Sequence, residues 1–89
     1  MSTPEPPHLQ YPTDYPIKVV GRAGENVRAQ ADAILAAHVP DLDPARTTER
    51  LSANGNFVAV SYLIRAVSEA QVTALATDLK ACRAFLMVI

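Results

Sequence analysis

Apolar and polar residues alternate most regularly along residues 57–66, which is the pattern of a β-strand with one buried face. One side of this strand carries Val58, Val60, Tyr62, Ile64 and Ala66. Residues 15–22 predict a second strand, on which Tyr15, Ile17 and Val19 share a face. Residues 46–53 are polar enough for an edge strand, and residues 84–89 form a last strand with Phe85, Met87 and Ile89 on one face.

Two other stretches space their apolar residues for helices. Residues 25–38 carry an apolar stripe that begins at Val27, with Gly24 as the predicted N-cap and Pro40 as the stop. Glu25 then lies in the first turn, and Arg28 and Asp32 form an i,i+4 ion pair. The second helix begins after Ser68, because Ser68 and Gln71 match an S-x-x-Q capping box.

The order of these elements is β-α-β-β-α-β, joined in the middle by Asn54-Gly55, for which we predict a type I′ turn. Two right-handed crossovers then give an α+β ferredoxin-like sandwich, a four-stranded antiparallel sheet with both helices on one face. We expect the first and third strands at the centre. The folded domain is predicted over residues 14–89, and the Pro-rich residues 1–13 are predicted to be a flexible arm.

Several stretches are similar to a known family. They are Tyr11-Pro-Thr-Asp-Tyr-Pro-Ile-Lys-Val-Val-Gly21, Gly55-Asn56-Phe57 and the closing Met87-Val88-Ile89. Residues 11–89 resemble the YbeD-like family of small uncharacterised bacterial proteins, which in turn resembles the ACT-type regulatory domains of amino-acid biosynthetic enzymes. The resemblance implies the same fold and ligand-dependent regulation, and a link to lipoate metabolism has been proposed for the family. It implies no catalytic residues.

Composition excludes several classes of function. A net charge of −1 argues against bulk nucleic-acid affinity, which depends on many basic residues. His8, His38 and Cys82 lack the spacing of metal ligands, and Cys82 has no identifiable base, so we expect no metal, no cofactor and no enzyme activity. No apolar stretch is long enough to span a bilayer and no signal peptide is evident, so we expect no membrane association and a cytoplasmic protein.

The connection between the first strand and the first helix is a candidate ligand site, formed by Gly21, Arg22, Gly24 and Asn26. The free N–H groups at a helix start suit a carboxylate, and Arg22 offers a charge-assisted hydrogen bond. A small carboxylate is therefore the candidate ligand, although Glu25 opposes an anion there. The alternative is that the two glycines only form a tight turn and a cap.

The sheet face opposite the helices is the candidate interface. The alternation places on it Val20, Phe57, Leu63, Leu86 and Val88. A contiguous apolar patch indicates an interaction surface, so we expect a homo-oligomer or a partner protein there, and the alternative is that residues 1–13 cover it. Stacking of RNA bases is disfavoured, because Phe57 is the single aromatic residue on that face.

Two functions remain open from the sequence. The first is a small non-enzymatic regulatory module that responds to a ligand, as ACT-like domains do. The second is an adaptor that binds a partner enzyme through the open sheet face without a small molecule. A pocket at a subunit junction would favour the first, and a flat apolar face would favour the second.

Overall fold

The computed structural model describes residues 10–89, so most of the predicted arm, residues 1–9, lies outside the described part. The elements are β1 (Thr13–Arg22), α1 (Val27–His38), a 3₁₀ turn (Pro44–Arg46), β2 (Thr47–Leu51), β3 (Phe57–Ala66), α2 (Glu69–Ala81) and β4 (Phe85–Val88). The strands form one antiparallel sheet in the order β2-β3-β1-β4. The ferredoxin-like fold and the central position of β1 and β3 are confirmed.

The core lies between one face of the sheet and the two helices. The sheet contributes the predicted alternating residues of β1 and β3, and Val60 and Val19, which are register partners, are fully buried. The helices contribute Val27, Ala31, Leu35, Leu75 and Leu79. Burial of this apolar surface is the main source of stability. Because both helices pack on the same face, no element among residues 10–89 covers the second face of the sheet.

The domain begins earlier than predicted. Thr13 already belongs to β1 and is the register partner of Ala66, and Tyr11 packs against the core. The predicted boundary after residue 13 is therefore too late, because the strand ladder and an aromatic contact extend to residues that the proline content had assigned to the arm.

A β-bulge in β4 changes the predicted faces of that strand. Val20 is the register partner of Met87, but the next residue, Gly21, is the partner of Phe85, so Leu86 is an extra residue. The bulge leaves Met87 beside Val20 on the open face and turns Val88 toward the core. The prediction that Val88 faces outward and Met87 inward was wrong, because simple alternation contains no bulge.

The start of α1 also differs from the prediction. The N-cap is Asn26, whose φ of 56° and ψ of 38° are left-handed, and its side chain makes no capping hydrogen bond. Asn tolerates this conformation better than most residues. Glu25 therefore precedes the helix instead of occupying its first turn, and the predicted N-cap role of Gly24 was wrong.

The β2–β3 connection is longer than a type I′ turn. The Ser52 carbonyl accepts from the Gly55 N–H at 2.9 Å, and Gly55 has φ of 75°, whereas Asn54 does not have positive φ. Asn54 acts through its side chain, whose Oδ1 accepts from the Ser52 hydroxyl at 3.0 Å. The hairpin was predicted correctly, and the type I′ assignment was wrong because Asn54 forms a side-chain turn.

The capping of α2 agrees with the prediction. The Ser68 hydroxyl accepts from the Gln71 N–H at 3.1 Å. The Gln71 side chain accepts from the Val67 N–H at 2.8 Å and donates to the His38 carbonyl at 2.9 Å. One glutamine therefore satisfies backbone groups at the start of α2 and at the end of α1.

Candidate functional site

The structure divides the predicted ligand site between two concavities. Arg22 lines an open cleft of about 420 Å³ together with Gln30, Arg83 and Leu86. Gly24 and Asn26 line a different concavity, of about 450 Å³, between α1 and β2. The four predicted residues therefore do not converge on one ligand-sized space.

The concavity at the start of α1 has poor electrostatics for an anion. Besides Asn26 and the first residues of the helix, its lining includes the carboxylates of Asp32 and Glu49 and one basic residue, Arg28, which already pairs with both of them. A carboxylate ligand would meet like charges there, which offsets the attraction of the free helix N–H groups. The structure does not favour this concavity as an anion site.

Gly21 lies where β1 packs closely against α1 and the residues before β4. A Cβ atom at this position would lie 2.5 Å from the Ala84 carbonyl oxygen and 2.6 Å from Val27 Cγ2. The backbone of β1 can approach the turn before β4 this closely only without a side chain. Gly21 thus allows β1, α1 and the residues before β4 to meet.

The cleft at Arg22 contains a second arginine that the sequence analysis did not identify. Arg83 follows Arg22 by 61 positions in the sequence, and the pairing of Gly21 with Phe85 brings Arg83 to the end of β1. Neither guanidinium forms an ion pair with another residue of the range 10–89. Glu25 also lines the cleft, and no local sequence signal connects Arg22 to Arg83.

The open sheet face presents an apolar strip along its centre. Val20 and Ala59 are register partners across β1 and β3, and Met87 lies beside Val20. Phe57 follows Ala59 on the same face of β3 and is 41% exposed. Leu63, 36% exposed, lies at the other end of the strip, beyond Ser61 and its register partner Lys18. Of the five predicted interface residues, Val20, Phe57 and Leu63 lie on this strip, Leu86 occupies the bulge, and Val88 packs against the core.

Basic residues accompany this strip. Lys18 on β1 and Arg50 on β2 line a shallow concavity of about 380 Å³ whose floor includes Val20, Phe57 and Ala59. Neither Lys18 nor Arg50 forms an ion pair within the described chain. We refer to the apolar strip (Val20, Phe57, Ala59, Leu63, Met87) and its basic neighbours Lys18 and Arg50 as the docking face.

Asp14 forms ion pairs with two arginines at the other end of the same sheet face. Asp14 Oδ2 lies 3.0 Å from Arg46 Nη2, and Asp14 Oδ1 lies 3.6 Å from Arg65 Nη1. The hydrogen bond from Arg46 is the main cause of a lowered pKa of the Asp14 carboxyl, to which Arg65 also contributes. Asp14 therefore offsets part of the charge of Arg46 and Arg65, whereas Lys18 and Arg50 have no acidic partner among residues 10–89.

A polar network on the helix side joins α1 to the sheet. The Tyr62 hydroxyl donates to Asp32 Oδ1 at 2.5 Å, and Arg28 Nε donates to both Asp32 oxygens at 3.0 and 2.9 Å. Arg28 also donates to Glu49 on β2 at 3.2 Å. Burial raises the pKa of Tyr62 far above its ordinary value, and the hydrogen bond to Asp32 adds to this effect. The network stabilises the fold and faces away from the docking face.

Within residues 10–89, no group of three or more His, Cys, Asp or Glu side chains is arranged to hold a metal ion. Neither helix of this part of the chain combines the length and the apolar character needed to cross a bilayer.

The four-stranded antiparallel sheet with two helices on one face defines the class of this protein as a small α+β sandwich of the ferredoxin-like type. Residues 6–89 match the model of a family described as "Protein of unknown function (DUF493)", and the chain belongs to that family. The resemblance to the YbeD-like family is confirmed by this match and by the relatives below.

The chain is 42% identical over 78 residues to a UPF0250 protein of Ectopseudomonas mendocina, covering 86% of this chain and 85% of that protein. It is 36% identical over 88 residues to a UPF0250 protein of Hahella chejuensis, covering 99% and 97%. Among solved structures, protein HP0495 from H. pylori superposes with a TM-score of 0.74 at 10% identity, covering 100% of this chain and 97% of that one. This last likeness concerns the fold alone.

Proposed function

We propose that this protein is a non-enzymatic interaction module that docks onto a partner through the open face of its sheet. The observation that carries the proposal is the docking face itself. Phe57, Leu63 and Met87 are each at least one-third exposed. Phe57 and Met87 adjoin through Ala59 and Val20, and Leu63 lies on the same face beyond Ser61 and Lys18. Contiguous exposed apolar residues with a polar rim are typical of protein interaction sites.

The position of the apolar residues supports this proposal. A two-layer sandwich needs one apolar sheet face, and the face toward α1 and α2 meets that need with Val19, Val60 and Ile64. The exposed face of an antiparallel sheet is ordinarily polar. Leaving Leu63 and Met87 in water costs roughly 25 cal/mol per Å² of apolar surface, and a docked partner would recover this free energy.

A second candidate function is a ligand-responsive regulatory domain. It is favoured by the cleft that holds Arg22 and Arg83, two guanidinium groups at one end of β1 without acidic partners in the described chain. Arginines in this arrangement suit a carboxylate or phosphate group. Glu25 at the same cleft reduces the attraction, so we place this function second.

Site-specific photo-cross-linking tests the docking proposal. A photoreactive amino acid placed at Leu63 in the full-length chain should give discrete cross-linked products in bacterial cells. The matched control carries the same amino acid at Val67, which is 60% exposed but lies outside the sheet. We expect the Leu63 products to disappear when Met87 is replaced with Glu and to persist when Val67, which is 60% exposed and lies outside the sheet, is replaced with Glu instead.

Equal cross-linking from Leu63 and Val67, or products that survive Met87→Glu unchanged, would contradict docking through this face. Both substitutions place a carboxylate on an exposed position, so the folded state should persist in each. Circular dichroism melts of the two variants verify this before the cross-linking patterns are compared.

A further inference from the structure

We infer that the partner of the docking face is an acidic amphipathic helix, whose apolar stripe covers the strip around Val20 and whose carboxylates meet Lys18 and Arg50. This inference rests on the proposed docking function and adds the chemistry of the occupant. It is carried by the charge of the face, by the concavity between its two basic residues and by the shape of the sheet.

The charge of the docking face predicts the sign of the charge on its partner. Lys18 and Arg50 both point to the open side, since Lys18 is the register partner of Ser61 and Arg50 of Ala59. Asp14, the acidic residue of the strands on this side, is already paired with Arg46 and Arg65. The chain has a net charge of −1, yet this surface presents two basic side chains that have no ion-pair partner among residues 10–89. Charge complementarity therefore favours carboxylates on the partner.

The concavity offers a binding position for an apolar side chain of the partner helix. It has a volume of about 380 Å³, and its lining places Lys18 and Arg50 together with Val20, Phe57 and Ala59. Ala59 is the small residue at the register position between the larger Val20 and Arg50. An apolar anchor with acidic neighbours would fill this space and pair the two basic side chains.

The shape of the sheet favours a helix as the occupant. β1 and β3 pair over ten residues each, which corresponds to a surface about 33 Å long. The same sheet already packs α1 and α2 on its other face, so its twist accommodates helices. A helix of about 18 residues, roughly 27 Å long, would lie along the strip.

Two other occupants fit less well. In a symmetric dimer formed through this face, Lys18 and Arg50 of one copy would approach those of the second copy, and like charges destabilise such contacts. Residues 1–9 contain a single carboxylate, Glu5, to meet two basic side chains, and three prolines and one leucine offer few apolar side chains for the strip. The expected self-association is thus less favourable than binding of an acidic partner.

Titration of the full-length ¹⁵N-labelled protein with synthetic peptides tests the inference by NMR. The probe is an 18-residue helical peptide with leucine at i, i+3, i+4 and i+7, a glutamate on each side of this stripe in every turn, and alanine elsewhere to maintain the helix. One matched peptide replaces each glutamate with lysine, and another replaces each leucine with alanine. We expect the acidic leucine peptide alone to shift the amide signals around Lys18, Val20 and Ala59.

Charge reversal locates the interaction. Lys18→Glu with Arg50→Glu should weaken the acidic peptide about tenfold or more. Lys80→Glu with Ala74→Glu makes the net charge more negative by about three on α2, away from the concavity, and should leave the affinity within about twofold. Circular dichroism melts check that both double variants are folded.

Several results would overturn the inference. They are equal binding of the lysine peptide, equal weakening by the two double variants, or signal shifts confined to the helix side. Binding by a chain that lacks residues 1–9, but not by the full chain, would assign the face to that segment. Sedimentation of the free protein as a dimer that excludes the peptide would assign it to a second copy. In each case, cross-linking from Leu63 would still test the docking function separately.

Discussion

Replacing Tyr62 with phenylalanine tests the polar network, because it removes one hydroxyl from a ring that is otherwise 2% exposed. The hydroxyl donates to Asp32 Oδ1 at 2.5 Å. A hydrogen bond to a charged group contributes about 1.5–3 kcal/mol to stability. Asp32 keeps its two contacts with Arg28, and its side chain is 43% exposed, so water can replace the lost donor. We therefore expect the lower end, a loss of about 1.5 kcal/mol.

Chemical denaturation followed by circular dichroism measures this loss, and for a domain of this size it corresponds to a melting temperature lower by roughly 6–12 °C. The matched control is Tyr15→Phe, since Tyr15 also packs against the core but its hydroxyl has no side-chain partner among residues 10–89. That control should change stability by less than about 0.5 kcal/mol. Equal effects of the two substitutions, or no effect of Tyr62→Phe, would refute a stabilising role of the network.

The remaining predictions concern alkaline pH, two glycines and the arginine cleft. Because the folded state raises the pKa of Tyr62, its contribution is fully present below about pH 10 and is lost as the pH rises further; denaturation midpoints from pH 8 to 11.5 should fall more steeply for the unmodified chain than for Tyr62→Phe. Gly21→Ala should destabilise by about 1–3 kcal/mol in thermal melts, because its Cβ would overlap a backbone oxygen; an unchanged melt would show that the close approach can relax. Gly55→Val should cost roughly 1 kcal/mol or more for its φ of 75°, and no loss would remove the turn assignment. If the cleft binds carboxylates, a panel of amino acids and short carboxylic acids should raise the melting temperature, and Arg22→Ala or Arg83→Ala should abolish the rise; a panel without any shift leaves docking as the remaining function.

The sequence predicted the architecture because most of its signals are local. The alternation along residues 57–66 marks β3 as a strand with one buried face, and all five predicted inward residues are buried. The capping box at Ser68 is likewise contained within four residues. Signals of this kind depend on periodicity and on adjacent groups, which a single sequence displays directly.

The parts that could not be predicted depend on distant contacts. The bulge in β4 arises where Leu86 has no counterpart on β1, and four consecutive apolar residues contain no alternation that would reveal it. The cleft joins Arg22 to Arg83 only through the pairing of β1 with β4. The concavity beside Lys18 likewise includes Arg50. From the sequence, the strand that carries Arg50 was predicted only to be a polar edge strand, so its contact with the face of β1 and β3 was not evident. These features belong to the tertiary structure.

The separation of charge across the sheet gives the molecule an electric dipole perpendicular to its layers. On the open side, basic residues outnumber the one carboxylate of the strands, Asp14. On the helix side, four carboxylates outnumber two basic residues, Arg28 and Lys80; the carboxylates are Asp32, Glu49, Glu69 and Asp78. A net charge of −1 predicts almost no long-range attraction toward an acidic partner, but a dipole orients the protein before contact. The association rate constant should then fall as ionic strength rises, while the dissociation rate, set by the apolar contacts, stays nearly constant.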